Sequence, residues 1–335
     1  MKPFEFPETA VIHITERCTH NCSFCYAGKG LSLGDVADIN ILYRIMDKLS
    51  NLGVQNVCLL GGDPVKYPMI SELLKYIKEN TILKTTVMSN TFSPDFGTLE
   101  EISDYIDVAE TTIHGFDSTT HDAHCGLEGA YNNLVDKLRV LLEKNVKLGV
   151  AVNLTPKTYD KIFDMISNFH KLLSANISHI IVQRIIPSGL AEDEDGYYLT
   201  KRQVNISLEQ IDRINTELGI DIAIEDPFPM CVVDSKYHRF MHRCEWGISK
   251  FSLNADGRFS RCGATPNQTI GNILDNDFCE VWQNNPQLVE FRNMNYINEK
   301  CSECKYKNVC GGGCPLSNQI NKLGYDYLMA NEDLS

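Results

Sequence analysis

Residues 10–28 read AVIHITERCTHNCSFCYAG, and the fold turns on how they are taken. The first six, AVIHIT, are an apolar run of strand length. A loop follows at once, with three thiols in eight positions: Cys18, Cys22 and Cys25. An odd set of cysteines on one short loop cannot pair internally as disulfides, so the loop reads as a metal site. Closely spaced thiolates can wrap an iron–sulfur cluster, and three of them leave one iron open to a non-protein ligand. Structural zinc asks for four protein ligands, which this loop alone lacks.

Outward from the loop, the first two-thirds of the chain alternates strand and helix patterns. Apolar strand candidates occupy 10–15, 54–60, 83–89, 107–113, 147–154 and 179–186. Between them, residues 36–49 place Ile39, Leu42, Ile45, Met46 and Leu49 on one face at helical spacing. Residues 70–80, 129–145 and 160–174 read the same way. Six βα units in series imply a parallel sheet with right-handed crossovers. Six is fewer than the eight of a closed barrel, so the expected fold is α/β, a partial (β/α)6 TIM-like barrel. Ligands of such folds sit at the carboxyl ends of the strands. The cysteine loop, directly after the first strand, falls at that end.

After about residue 225 the texture changes. IEDPFPM (224–230) is a proline-bearing break, and eight of the thirteen cysteines lie beyond it. KFSLNADGRFSRC (250–262) reads as a hairpin around Asp256 and Gly257. Residues 277–292 suit one helix interrupted at Pro286. The expected domains are therefore 1–225, the barrel, and 226–335, a cysteine-rich unit. There is no internal repeat or low-complexity tract, and the tail ANEDLS is expected to fray.

Composition narrows the function classes. A net charge of -13 over 335 residues argues against a broad nucleic-acid surface. No apolar stretch approaches a membrane span. The start, MKPFEFPETAVIHI, has no charged segment leading into a long apolar run, so no signal peptide is expected. A cytoplasmic location follows, where thirteen cysteines read as metal ligands or reactive thiols rather than disulfides.

The pattern Cys-x3-Cys-x2-Cys after a first strand, with Phe24 before the last cysteine, resembles the radical S-adenosylmethionine (SAM) superfamily. The resemblance implies that Cys18, Cys22 and Cys25 hold a [4Fe–4S] cluster whose open iron chelates the methionine moiety of SAM. Reductive cleavage would then give a 5′-deoxyadenosyl radical that abstracts hydrogen from a substrate, cofactor chemistry that the protein positions. In LLGGDP (59–64), where the family has Gly-Gly-Glu-Pro, the resemblance makes Gly61, Gly62, Asp63 and Pro64 cofactor contacts, with Asp63 one methylene shorter than the usual Glu. MSNT (88–91) is similar to the family's Thr-Asn-Gly turn and adds Ser89 and Asn90. TTIHGFDSTTHDAHCGLEGAY (111–131) resembles its Ser-Ile-Asp-Gly stretch, with His114 for the Asp and Thr112 offering a ribose-facing hydroxyl. Asn153, Tyr26 and Arg184 complete the implied contacts, Arg184 within QRIIPSGLA (183–191), which is similar to an Arg-x-x-Pro-x-Gly-x-Ala run. Thr112, Asn153 and Arg184 each also suit ordinary strand-end capping.

A second cysteine field reads Cys244-x12-Gly257-x4-Cys262, then Cys301-x2-Cys304-x5-Cys310-x3-Cys314. These soft ligands suit Fe–S clusters or zinc, and the last four alone would make a zinc ribbon. With the N-terminal loop, the region resembles the SPASM extension of radical SAM enzymes, which carries one or two auxiliary [4Fe–4S] clusters. The resemblance implies one cluster on Cys244, Cys262 and Cys314 and another on Cys301, Cys304 and Cys310. The family's seventh cysteine should follow Cys314, and none does. For the second cluster that leaves an open iron, a carboxylate such as Asp326, or Cys279; Cys231 is available to complete the first. The plain reading of Cys58, Cys125, Cys231 and Cys279 is small buried hydrophobes.

Three functions are open at this point. One is a maturase that cross-links, oxidises or epimerises a ribosomally made peptide, with flavodoxin or ferredoxin as reductant. Another is a dehydrogenase of a small molecule or single residue, including the sulfatase-maturing type. That type places an Asp directly after the cysteine of Gly-x4-Cys, where this chain has Gly263. The third is a non-catalytic electron carrier or zinc scaffold. Glu245 is a candidate base, and Cys125 and Cys231 are candidate thiol hydrogen donors.

Overall fold

The structure, a computed structural model, describes residues 6–27, 37–90, 96–173, 177–186, 188–191, 195–320 and 325–330. Thr91, Pro187 and the tail at 331–335, named above, lie outside these. Seven parallel strands run in chain order: β1 (Thr9–Thr15), β2 (Asn56–Gly61), β3 (Lys84–Met88), β4 (Val108–Ile113), β5 (Lys147–Leu154), β6 (Ile177–Arg184) and β7 (Ile222–Ile224). Helices cover the outside: α1 (Ile39–Asn51), α2 (Ile70–Asn80), α3 (Phe96–Ser103), α4 (Ser118–Cys125), α5 (Ala130–Glu143), α6 (Ile162–Leu173) and α7 (Lys201–Arg213). The chain is a partial (β/α)6 barrel, as expected, with a cysteine-rich C-terminal region.

The apolar spacing explains the helices. Leu42, Ile45, Met46 and Leu49 are the buried face of α1, and Ile70, Leu73, Leu74 and Ile77 that of α2. Both stripes follow the i, i+3, i+4, i+7 pattern of a helix lying on a sheet. Asp117 and Thr120 form a reciprocal capping box at the start of α4, worth about 1 kcal/mol. Gly126 ends α4 in the left-handed conformation at φ 65°.

Short elements escaped the sequence pattern. β7 has three residues, too few to show a period, and falls at the start of the expected break. It pairs with β6 through Ile180 and Ile222, making a seventh parallel strand. The expected hairpin is present as β8 (Lys250–Asn254) and β9 (Arg258–Ser260), followed by β10 (Thr269–Asn272). It is not separate from the barrel, since β8 lies parallel to β1 with Thr9 opposite Lys250 and His13 opposite Asn254. One ten-stranded sheet therefore joins the two parts, in the order β10-β9-β8-β1-β2-β3-β4-β5-β6-β7. Residues 277–292 form two helices, α8 (Phe278–Asn284) and α9 (Pro286–Arg292), with Asn285 capping the second.

Candidate active site and cysteine fields

The three-cysteine loop leaves β1 at the carboxyl end of the sheet, where Thr15 pairs with Gly61. The two glycines of the β2 turn serve this loop. The Gly62 amide donates to the Thr15 carbonyl at 2.8 Å and the Asp63 amide to that of Arg17 at 2.7 Å. A Cβ at Gly61 would lie 2.2 Å from the Thr15 oxygen, and one at Gly62 2.4 Å from the Arg17 oxygen. Any side chain there would push the loop off the strand ends. On its other flanks the Asn21 amide donates to the Cys125 carbonyl at 2.9 Å, and the Leu190 amide to that of Cys25 at 3.0 Å. Gly189, at φ 61°, has no room for a Cβ beneath the Cys25 and Tyr26 carbonyls. Phe24 packs on His114, ring centroids 5.2 Å apart, and on Tyr197 at 5.9 Å.

Cys18, Cys22 and Cys25 are half-buried. Burial pushes the Cys18 thiol up to about 11. The Cys125 thiol donates to Cys22 and draws its pKa down, with His20 acting in the same direction, while Cys125 is driven up. Cys22, Cys125 and a His20 nitrogen lie within 4.8 Å of one another. Around them Arg17 Nε, Thr19 Oγ1 and both ring nitrogens of His20 are buried with no hydrogen-bond partner. Orphaned polar atoms around half-buried thiols fit a bound inorganic group whose sulfides and ligands would satisfy them.

Next to the loop, the expected cofactor residues form a chain of contacts across the ends of β2 to β5. Asp63 is buried and accepts from the Ser89 hydroxyl at 2.7 Å, besides capping the turn at Pro64–Lys66 through the Val65 amide. Asn90 Oδ1 accepts from the Thr112 amide at 3.2 Å. Asn153 Nδ2 lies 3.4 Å from His114 Nδ1. Tyr26 packs edge-on against His13.

Six of the expected site residues have other surroundings. Arg184 does not join this ring: its buried guanidinium pairs with Asp326 and donates to the Pro227 carbonyl at 3.2 Å. Burial alone would lower its pKa, but the Asp326 carboxylate holds it above the ordinary value. Asp326 is thereby committed and is not a spare cluster ligand. Cys231 does not stand with Cys244. It lies in the turn Met230–Val232, whose Met230 amide donates to Cys310 Sγ at 3.3 Å, beside the other cysteine set. Cys125 is buried against Cys22, and Cys231 is exposed. Glu245 is exposed, 3.9 Å from Lys250, and Cys279 is half-buried against the main core.

The strand interiors hold ionisable groups that the sequence reading passed over. Glu110, in the middle of β4, is buried and lies 3.4 Å from His179 of β6. Gly149 of β5 sits between them, and a Cβ there would come 2.5 Å from His179 Nε2. Glu225 accepts from Trp246 Nε1 at 2.9 Å and from Lys250. A charged residue inside the apolar run DVAETTI was the available signal for Glu110.

The C-terminal thiols fall in two sets. Cys244, Cys262 and Cys314 are buried; Cys262 and Cys314 pack in one cluster, and burial pushes both thiols up to about 12. Cys301, Cys304 and Cys310 form the other, with Cys304 exposed and Cys310 buried. A single zinc with Zn–S of about 2.3 Å would hold its sulfurs within about 4.6 Å. Among the described residues no three of these thiols have their sulfurs within 4.8 Å of one another. Ring atoms of Trp246 stand 2.9 and 3.2 Å from where a Cβ on Gly263 would lie, which leaves no space for the Asp of the sulfatase-maturing pattern.

A parallel barrel whose first strand delivers three thiols to its mouth is joined to a second field of cysteines. Residues 12–170 match the Radical SAM superfamily and residues 244–305 the SPASM iron–sulfur cluster-binding domain. The chain carries a radical SAM domain and a C-terminal SPASM domain, which together imply SAM and iron–sulfur clusters as cofactors. It is similar to the AdoMet-dependent heme synthase of Methanosarcina barkeri, 23% identical over 332 residues, covering 91% of this chain and 90% of that one. It is also similar to the PqqA peptide cyclase of Methylorubrum extorquens, 21% identical over 321 residues, covering 92% and 80%. Among solved structures, Streptococcus suis SuiB bound to precursor peptide SuiA superposes with a TM-score of 0.77 at 20% identity, covering 97% of this chain and 75% of that one. Native anSMEcpe with bound AdoMet and Cp18Cys peptide gives 0.71 at 16% identity, covering 96% and 93%. No helix among the described residues is long and apolar enough to cross a membrane.

Proposed function

We propose that this enzyme abstracts a hydrogen atom from a residue of a ribosomally made peptide, which is then cross-linked, oxidised or epimerised. The observation that carries the reading is the joint at the end of β6. Ile185 packs with Phe24 and Cys22, and Ile186 packs with Cys262 and Cys314. Ser188 Oγ donates to the Ala264 carbonyl at 3.2 Å, next to Cys262. A substrate at the barrel mouth would thus lie between the radical loop and the auxiliary thiols, so an electron left after hydrogen abstraction has a nearby acceptor. Peptide substrates appear in the names of three similar proteins: SuiB with SuiA, anSMEcpe with its peptide, and PqqA peptide cyclase.

In this reading a [4Fe–4S] cluster together with SAM, when bound, would supply the hydrogen-abstracting radical. Cys18, Cys22 and Cys25 hold that cluster, and Phe24 with Ile185 keeps water from it. The Gly61–Gly62 turn sets the loop's height over the sheet. Gly61, Gly62, Asp63 and Pro64 shape the methionine end of the pocket; Tyr26, Ser89, Asn90, Thr112 and Asn153 line the remainder. Residues 1–225 form the catalytic barrel and residues 226–335 the domain holding two auxiliary [4Fe–4S] clusters. The protein works in the reducing cytoplasm, with flavodoxin or ferredoxin as electron donor.

A second reading, a small-molecule substrate, rests on the heme synthase of M. barkeri, whose similarity spans 91% of this chain and 90% of its own. The test is the mass of a short peptide encoded beside the gene, after anaerobic turnover in deuterated water. Loss of two hydrogens supports cross-linking or oxidation, and one non-exchangeable deuterium supports epimerisation. An unchanged peptide, with 5′-deoxyadenosine still formed slowly, favours the small-molecule reading.

A further inference from the structure

We propose that Cys231 is the fourth thiolate of the second auxiliary site, closing the set of Cys301, Cys304 and Cys310. This rests on the reading above that the site holds a cluster. In sequence Cys231 stands thirteen residues before Cys244, on the opposite side of the motif from where a seventh cysteine was expected, and no cysteine follows Cys314.

The fold brings it there. Cys231 lies in the single helical turn Met230–Val232, and the amide of Met230 donates to Cys310 Sγ at 3.3 Å. The Pro229 ring lies against Gly313, where a Cβ would come within 2.9 Å of two ring carbons. Gly311, Gly312 and Gly313 all have positive φ, from 59° to 88°, and turn the chain back on itself so that Gly312 faces Cys301 Sγ. The segment 229–231 is thus packed onto the turn that carries Cys310.

The alternatives are otherwise engaged. Asp326 is held by Arg184, and Cys279, on α8, is half-buried against the main core. With Cys231 in place, all four irons of a [4Fe–4S] cube have a protein thiolate. Such a cluster has no position for a substrate atom and is left with electron transfer. Cys231 and Cys304 are both exposed, which puts this cluster at the protein surface, whereas the thiols of the other auxiliary site are all buried.

The test is alkylation of the native holoenzyme with iodoacetamide under anaerobic conditions, read by peptide mass spectrometry before and after iron chelation. Cys231 should be protected in the holoenzyme despite its exposure and should label at least tenfold faster once iron is removed, together with Cys301 and Cys304. Labelling of Cys231 in the holoenzyme while Cys301 and Cys304 stay protected would overturn the assignment alone. Labelling of all three would overturn it together with the two-cluster reading. As a second measurement, Cys231→Ser should alter the electron paramagnetic resonance signal of one dithionite-reduced cluster, and Cys279→Ser should leave all signals and the iron content unchanged. An unchanged spectrum and iron content in Cys231→Ser would also overturn the assignment.

Discussion

Arg184 and Asp326 form an ion pair with both side chains fully buried, joining the end of β6 to the last helical turn, Tyr327–Ala330. The guanidinium also lies over the rings of Phe228 and Tyr327, at 5.1 and 5.6 Å. The Leu328 amide donates to the same carboxylate at 3.1 Å. A buried pair is a fastener between two segments far apart in sequence. Removing one partner leaves an uncompensated charge, at a cost of about 3–5 kcal/mol. Asp326→Asn and Arg184→Met should each lower the urea midpoint accordingly. The double variant Arg184→Met/Asp326→Leu should recover much of the loss, and additive losses would show that the two groups are not coupled.

Gly62→Ala places a methyl group 2.4 Å from the Arg17 carbonyl oxygen. The neighbour is backbone, so the cysteine loop must move. The expected result is iron content lower by one cluster and no 5′-deoxyadenosine, with auxiliary cluster signals retained. Iron quantitation and paramagnetic resonance check this.

Cys22→Ala removes a half-buried thiol from a loop that is held by backbone bonds at Asn21 and Cys25. The fold should persist, with an unchanged far-ultraviolet circular dichroism spectrum, while SAM cleavage to 5′-deoxyadenosine stops. Retained cleavage would remove this loop from the active site.

Gly263→Ala brings a methyl group against the Trp246 ring and should destabilise the protein by about 1–3 kcal/mol through overpacking. Trp246→Phe in the same chain should relieve part of that loss. A double-mutant cycle on thermal midpoints measures the coupling.

Burial pulls the pKa of His121 down to about 4 and that of His13 to about 4, against about 6.5 in an unfolded chain. Between these values the unfolded state takes up a proton that the folded state refuses. Stability is therefore full above pH 6.5 and falls as pH drops toward 4. At about 1.4 kcal/mol per pH unit, His121 contributes up to about 3 kcal/mol of that loss. The thermal midpoint of His121→Asn should depend less steeply on pH between 6.5 and 4.5 than that of the unmodified protein. Equal slopes would show that His121 has no part in acid sensitivity.

The sequence by itself carried the first six strands of the barrel and the helices α1, α2, α5 and α6, because their apolar positions repeat often enough to show a period. It also carried the cysteine loop, since Cys18, Cys22 and Cys25 lie within eight positions of one another. What it could not carry was anything set by contacts between distant segments. The parallel pairing of β8 with β1, the commitment of Arg184 to Asp326, and the ring of Trp246 over Gly263 follow from packing across the sheet. The position of Cys231 shows the reason most directly. A thiol's partners are set by where the chain turns back, here at Gly311, Gly312 and Gly313, and not by its distance along the sequence.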